Sequence, residues 1–99
     1  MDPYDARTWP TPWQLAPGVL GVACRRDVFI LSAVLAVQPG LGDVGRYLDT
    51  LPTDMEVHVP NVTSPTLATM LHRRGFRERR IELLNGEPVD VFVRKALAL

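Results

Sequence analysis

Apolar positions run almost unbroken from residue 28 to 37, alternate with polar ones over 55–59, fall on valines at every second residue over 89–93, and recur at steps of three and four over 41–51 and 67–71. Each pattern selects an element. The unbroken run, "VFILSAVLAV", is rich in β-branched residues and lacks strict alternation, which predicts a strand in the middle of a sheet with cover on both faces; a short helix is the other reading of so brief a run. Before it, "VLGVAC" at 19–24 predicts another strand, joined to it through the charged turn Arg25, Arg26, Asp27 as an antiparallel hairpin. Further on, Met55, Val57 and Val59 share one face of a third strand, and Glu56 and His58 share the other.

Leu41, Val44, Leu48 and Leu51 predict a helix opened by Pro39 and Gly40, capped by Asp43 and stopped by Pro52. A second helix is punctuated at both ends. Ser64 stands at its N-cap, Pro65 at its first position, Leu67, Met70 and Leu71 on one face, and Gly75 past its end, with Phe76 placed to pack back on the last turn in a Schellman stop. The closing stretch "RERRIELL", "NG", "EPVDVFVR" predicts a hairpin, with Asn85-Gly86 as a type I′ pair and Val89, Val91 and Val93 on one face. The order is therefore β-β-α-β-α-β-β. That is an α+β fold, a mixed, mainly antiparallel sheet flanked by two helices.

Residues 1–18 carry four of the nine prolines and three aromatics, a composition that resists regular helix. The expectation is an N-terminal arm over 1–18 followed by a single domain over 19–99. Trp9 and Trp13 are expected to pack on that domain's own apolar surface, or to form an interface or a substrate wall.

Composition narrows the class. With 46% apolar and 22% charged residues and no formal net charge, the 99-residue chain reads as one soluble globular domain without an overall electrostatic drive toward nucleic acid or membrane. Its single cysteine, Cys24, rules out a disulfide within these residues and a multi-cysteine metal site, so no metal is expected. A reducing cytoplasm fits that usage. No apolar stretch approaches the roughly 20 residues of a membrane-spanning helix, and the N-terminus lacks the basic-then-apolar order of a secretory signal.

Four pieces, "LAVQP" at 35–39, "GRYL" at 45–48, "SPTLATMLHRRGF" at 64–76 and the closing "NGEPVDVFVR", occur in an order that resembles the C-terminal part of the GNAT superfamily of acyl-CoA-dependent N-acetyltransferases. The resemblance covers roughly residues 19–94 and implies acyl transfer from acetyl-CoA to a small-molecule or peptide amine. It implies that backbone at Leu35, Ala36 and Val37 would hold the pantetheine arm and thioester. The loop comprising Gly40, Leu41, Gly42, Val44, Gly45 and Arg46 would take the pyrophosphate. Free N–H groups and the dipole at a helix start suit such an anion. Against the family pattern, Asp43 stands where a loop glycine is usual, Leu71 where a tyrosine acid is common, and Ser64 where an asparagine is common. The family's first strand and two helices also have no counterpart within this sequence. Either a second copy of the chain supplies that wall, or the module has dropped catalysis and serves as a CoA-binding or protein-interaction module on the same fold; a homodimer is the expectation, because an open edge and apolar face invite pairing.

Among titratable groups, His58 and Glu56 are the candidates for proton transfer, since imidazole titrates near neutrality and a carboxylate two residues away on a strand shares its face. A solvated strand face is the plainer reading of the same pair. Arg73, Arg74, Arg77, Arg79 and Arg80 form a basic cluster after the second helix. Offsetting the helix dipole explains it most simply, and a contact to a phosphate of coenzyme A or to a nucleic-acid backbone is the functional reading. Cys24 beside two arginines reads as a small core residue, with a reactive thiol as the alternative.

Overall fold

The structure is a computed structural model that describes residues 14–97. Trp9 and Trp13 lie outside the described residues. The elements are β1 (Gln14–Ala16), β2 (Val19–Arg25), β3 (Phe29–Ala36), α1 (Asp43–Leu48), β4 (Val57–Pro60), α2 (Pro65–Arg73), β5 (Arg77–Glu82) and β6 (Pro88–Arg94). The strands form one sheet in the order β1-β2-β3-β4-β6-β5, in which only β3 and β4 run parallel. The α+β class and the mixed, mainly antiparallel sheet are thus as the periodicities predict.

Both helices pack on the same face of the sheet. There Leu48, Leu51, Leu71 and Phe76 join Ala23, Leu31, Val57, Val59 and Phe92 in one core cluster. A second cluster of Val22, Cys24, Ile30, Val91 and Val93 occupies the opposite face, extended by Val28, Ile81, Leu83 and Val89. Cys24 is buried within it, the plain core role that its residue type favours.

Helix α2 forms as its punctuation requires. Ser64 accepts a hydrogen bond from the Leu67 N–H at 3.2 Å, Pro65 opens the first turn, and the chain leaves through Gly75 at φ +86°. Phe76 N–H reaches back to the Leu71 carbonyl at 3.1 Å and Gly75 N–H to that of His72 at 3.2 Å, the paired bonds of a Schellman stop.

Four sequence expectations differ from the structure. The first is that part of the expected arm is strand: Gln14–Ala16 pairs with β2 through a two-residue Pro17-Gly18 turn. Proline at the first and glycine at the second central position, with Gly18 at φ +78°, is the type II turn pattern. Gly18 is also pinned sterically, because a Cβ there would collide with the Asp43 carboxylate. Gly18→Ala is expected to destabilise by about 2 kcal/mol, from left-handed strain of about 1–2 kcal/mol plus that collision. Urea unfolding of Gly18→Ala with and without Asp43→Ala checks it: the double variant should recover the steric part only, and full recovery would show that the backbone is not strained.

The second difference is that Asp43 does not cap α1. The N-cap is Gly42 at φ +76°, no side chain caps the helix, and the Asp43 carboxylate pairs instead with Arg46 one turn on. Leu41 falls outside α1 and is 55% exposed, so the helical stripe begins at Val44. The third concerns β3, which is covered only in its first half: Ile30, Leu31 and Ser32 are buried, whereas Leu35 is 60% exposed.

The fourth is the closing hairpin, which does not use a type I′ turn. Of the described non-glycine residues only Ala33 and Asn61 have positive φ, so Asn85 lacks the conformation that turn requires. Leu83 N–H instead bonds to the Glu87 carbonyl and Gly86 N–H to that of Leu83, enclosing the three residues Leu84, Asn85 and Gly86. Burial explains the choice. This loop pairs Ile81 with Val89, keeping Ile81, Leu83, Val89 and Val91 on the second cluster's face. A two-residue loop at Asn85-Gly86 would slip the register by one and turn Ile81 toward Asp90.

Candidate functional site

The feature that makes a site is a divergence between two strands. β3 and β4 pair in parallel only at Phe29 with Val57 and at Ile30 with His58, yet β3 continues to Ala36 and β4 to Pro60. Past Leu31, the β4-facing peptide groups of β3 have no registered partner in β4 among the described residues. At the point of parting β3 bulges. Its pairing with β2 shifts between Leu20 with Leu35 and Val22 with Ser32, and Ala33 sits at φ +56°. A left-handed alanine costs about 1–2 kcal/mol, so the surrounding ladder imposes it.

The opening continues as a cavity of about 330 Å³, walled by Val34, Leu35 and Ala36 of β3, by the chain from Gln38 to Val44 except Leu41, and by Ser64 at the N-cap of α2 with Thr66, Leu67 and Met70 in it. A smaller space of about 120 Å³ lies between Ala33–Val34 and the chain from Val59 to Ser64, and shares Val34, Ser64 and Leu67 with the larger. The walls are mostly aliphatic. The polar groups on the walls are strand peptides, the Gln38 amide, the Asp43 carboxylate, the Thr66 hydroxyl and the Ser64 hydroxyl, the last already accepting from Leu67.

The structure brings together most, but not all, of the residues expected to hold a cofactor. Leu35, Ala36, Gly40, Gly42 and Val44 line the larger cavity. Val37 does not, and its N–H is taken by the Gly18 carbonyl at 2.9 Å. Leu41, Gly45 and Arg46 also stand outside the lining. Gly45 serves packing: it is buried in α1, and a Cβ there would lie 3.2 Å from Arg74 Nη2 and 3.4 Å from Met70 Cε. Asp43 does face the cavity, with its negative charge offset by the Arg46 guanidinium.

His58 and Glu56 come together, Nε2 to Oε1 at 3.3 Å, but neither lines the cavity. The reason is strand alternation. Val57 and Val59 point to the helix-side core, so His58 points to the other face, beside its strand partners Ile30 and Val93. Leu71 is fully buried in the helix-side core. His72 pairs with Glu78 at 3.2 Å and lies against Phe92, with ring centroids 5.2 Å apart. Tyr47, the one described tyrosine, has its phenol pushed above the ordinary range by burial and packs against the core rather than in the cavity.

The arginines divide into separate tasks. Arg74 ties the two helices together, donating to Asp49 Oδ1 at 2.8 Å, the Met70 carbonyl at 3.0 Å and the Gly45 carbonyl at 3.2 Å. Arg80 pairs with Asp90 across the β5–β6 ladder at 3.1 Å. Arg94, outside the expected cluster, donates to the Pro52 carbonyl at 2.8 Å and lies 5.1 Å from the Phe76 ring centroid. Burial lowers its guanidinium pKa.

Sequence reading missed Ala33, Thr66, Met70 and Arg94. Nothing local marks Ala33 as a bulge, and Arg94 reaches its neighbours only through strand pairing. Among the described residues, no three of His, Cys, Asp and Glu gather as a metal ion would need, and no helix is long and apolar enough to cross a membrane. The chain matches no protein-family model, and no curated protein or solved structure is significantly similar to it.

Proposed function

We propose that the protein is a small GNAT-like domain that binds acyl-CoA, acetyl-CoA in the simplest case, in the cleft between β3 and β4, and holds it without a side-chain acid or base for turnover. The observation that carries this reading is the parting of two parallel strands after two residue pairs, beside a bulge at Ala33 and an aliphatic cavity of about 330 Å³. An extended ligand with amide groups can take the unpaired strand peptides as an added strand would, and the pantetheine arm is such a ligand. The acyl group would lie against Val34, Leu67 and Met70.

Binding without turnover is favoured because no titratable side chain other than Asp43 lines the cavity, and Asp43 is engaged by Arg46. His58 and Glu56, the sequence candidates for proton transfer, lie across the sheet. If an amine is acylated here, it must arrive deprotonated and react through positioning alone. A reducing cytoplasm suits both acyl-CoA and the unpaired thiol of Cys24.

A second copy of the chain would cover the lip of the cleft. The cross-strand partners Leu20 and Leu35 are 37% and 60% exposed, and Val37 and Leu41 add further exposed apolar surface from the same strand end and its loop. The other sheet edge, β5, is Arg- and Glu-rich and guards itself against pairing.

Thermal unfolding tests the reading. Acetyl-CoA and pantetheine should each raise Tm, with stabilisation of about 2.7 kcal/mol at a hundredfold excess over Kd. Thr66→Trp, an exposed position on the cavity wall, should remove the shift while leaving the unliganded Tm within about 2 °C. No shift with either ligand at millimolar concentration, or an undiminished shift in Thr66→Trp, would refute binding in this cleft. Mass spectrometry with amine acceptors should show no acetyl transfer above the uncatalysed rate.

A further inference from the structure

At the other end of the sheet, the start of β5, the end of β6 and the residues following it enclose a second cleft of about 400 Å³. Five cationic side chains line it, Arg74, Arg77, Arg79, Arg94 and Lys95, and no carboxylate of the described residues does. Strand register brings them to this end of the sheet, Arg77 and Arg79 on the second cluster's face and Arg94 on the helix side. Arg77 lies opposite Val93, Arg94 opposite Val57, and Val57 beside Phe29, the first residue of β3. The acyl-CoA cleft begins at Val34, which is about 16 Å further along that strand at about 3.3 Å per residue. The two clefts are separate sites.

Among the described residues, four of these five cations have no carboxylate partner, in a chain whose acidic and basic residues balance at 11 each. Arg74 is the one member of the five with a carboxylate partner among the described residues, Asp49. Arg77 donates to the Phe76 carbonyl at 2.8 Å, and Arg94 donates through Nη2 to Pro52. The Arg94 Nε is buried without a hydrogen-bond partner among the described residues. Like charges gathered round a concave site repel one another and raise the local potential, and a bound anion relieves both effects.

We propose that this cleft binds a condensed phosphate group, a di- or triphosphate, through Arg77, Arg79 and Lys95, with the Arg94 charge behind them. Guanidinium forks match phosphate oxygens, and Lys95 adds a compact point charge. The volume suits a small ligand. No aromatic side chain of the described residues lines the cleft to stack a base, and recognition rests on the phosphates. Arg77 and Arg79 share a strand face two residues apart, placing two guanidinium groups side by side along a phosphate chain.

Calorimetric titration of the full chain with inorganic tripolyphosphate, at about 50 mM salt, tests the proposal. One-to-one binding is expected, weakening steeply as salt is raised. The double variant Arg79→Ala, Lys95→Ala removes two exposed side chains that fold stability does not require, and should weaken binding at least about tenfold. ATP carries the same triphosphate and should bind within about threefold of tripolyphosphate. No binding at about 1 mM, affinity unchanged in the double variant, or ATP tighter by tenfold or more would each overturn the proposal. Pantetheine lacks a phosphate chain, so its effect on Tm should be the same in the double variant, which separates this site from the acyl-CoA reading.

Discussion

Phe76→Ala is expected to destabilise the domain by about 3–5 kcal/mol, the largest effect of any single side-chain truncation among the described residues. Phe76 is fully buried and is the largest of the residues that are. Its ring fills the helix-side core together with Leu71, Val57 and Phe92, and the Arg94 guanidinium lies 5.1 Å from its centroid. Truncation therefore removes aromatic burial, opens a cavity that the sheet cannot collapse to fill, and takes away the ring beside a partly buried cation. A domain of this size has about 5–15 kcal/mol in total, so Tm should fall by about 15 °C or more. Phe76→Leu keeps most of the volume and should cost about 1.5 kcal/mol. Urea unfolding of both variants measures this, and a loss below about 1 kcal/mol for Phe76→Ala would mean that the core repacks around the gap.

Arg74→Ala comes second, at about 2–3 kcal/mol. Charge-assisted hydrogen bonds contribute about 1.5–3 kcal/mol each when partly buried, and their losses overlap because one guanidinium makes all three. The helix it anchors has six residues, too few to persist without tertiary support. Releasing the Gly45 and Met70 carbonyls should loosen α1 against α2, visible as faster amide exchange in Arg46, Tyr47 and Leu48. Arg74→Lys keeps the charge but cannot reach three acceptors in a fork, so it should recover less than half of the loss. Full recovery by lysine would mean that offsetting the α2 dipole is all that Arg74 does.

That contrast shows how far residue patterns reach. Reading Arg74 as one of five cations near a helix C-terminus is sound local physics, and β5 and β6 then divide the group. Arg74 ties α1 to α2, Arg80 pairs with Asp90, and Arg77 and Arg79 meet Arg94 and Lys95 in a cleft. No spacing along the chain brings residue 79 beside residue 95. Pro17-Gly18 carries the residue pattern of a type II turn, and the prolines around it point instead to an irregular arm. The type I′ expectation at Asn85-Gly86 failed for a different reason, since the dipeptide suits two loop lengths and the buried face of Ile81 selects between them.

By itself, the sequence determined the elements whose causes are local: the Ser64 and Gly75 ends of α2, the alternation of β4 and β6, the α+β class and the mainly antiparallel sheet. Caps, turns and periodicity act over a few residues, where side chain and backbone meet directly. Tertiary structure alone decided where β3 leaves β4, that Ala33 takes a left-handed bulge, that Gly45 is there for helix contact, and that His58 points away from the cavity. These depend on which strand lies beside which and in what register. That choice is made by burial summed over the whole core, and no stretch of sequence states it.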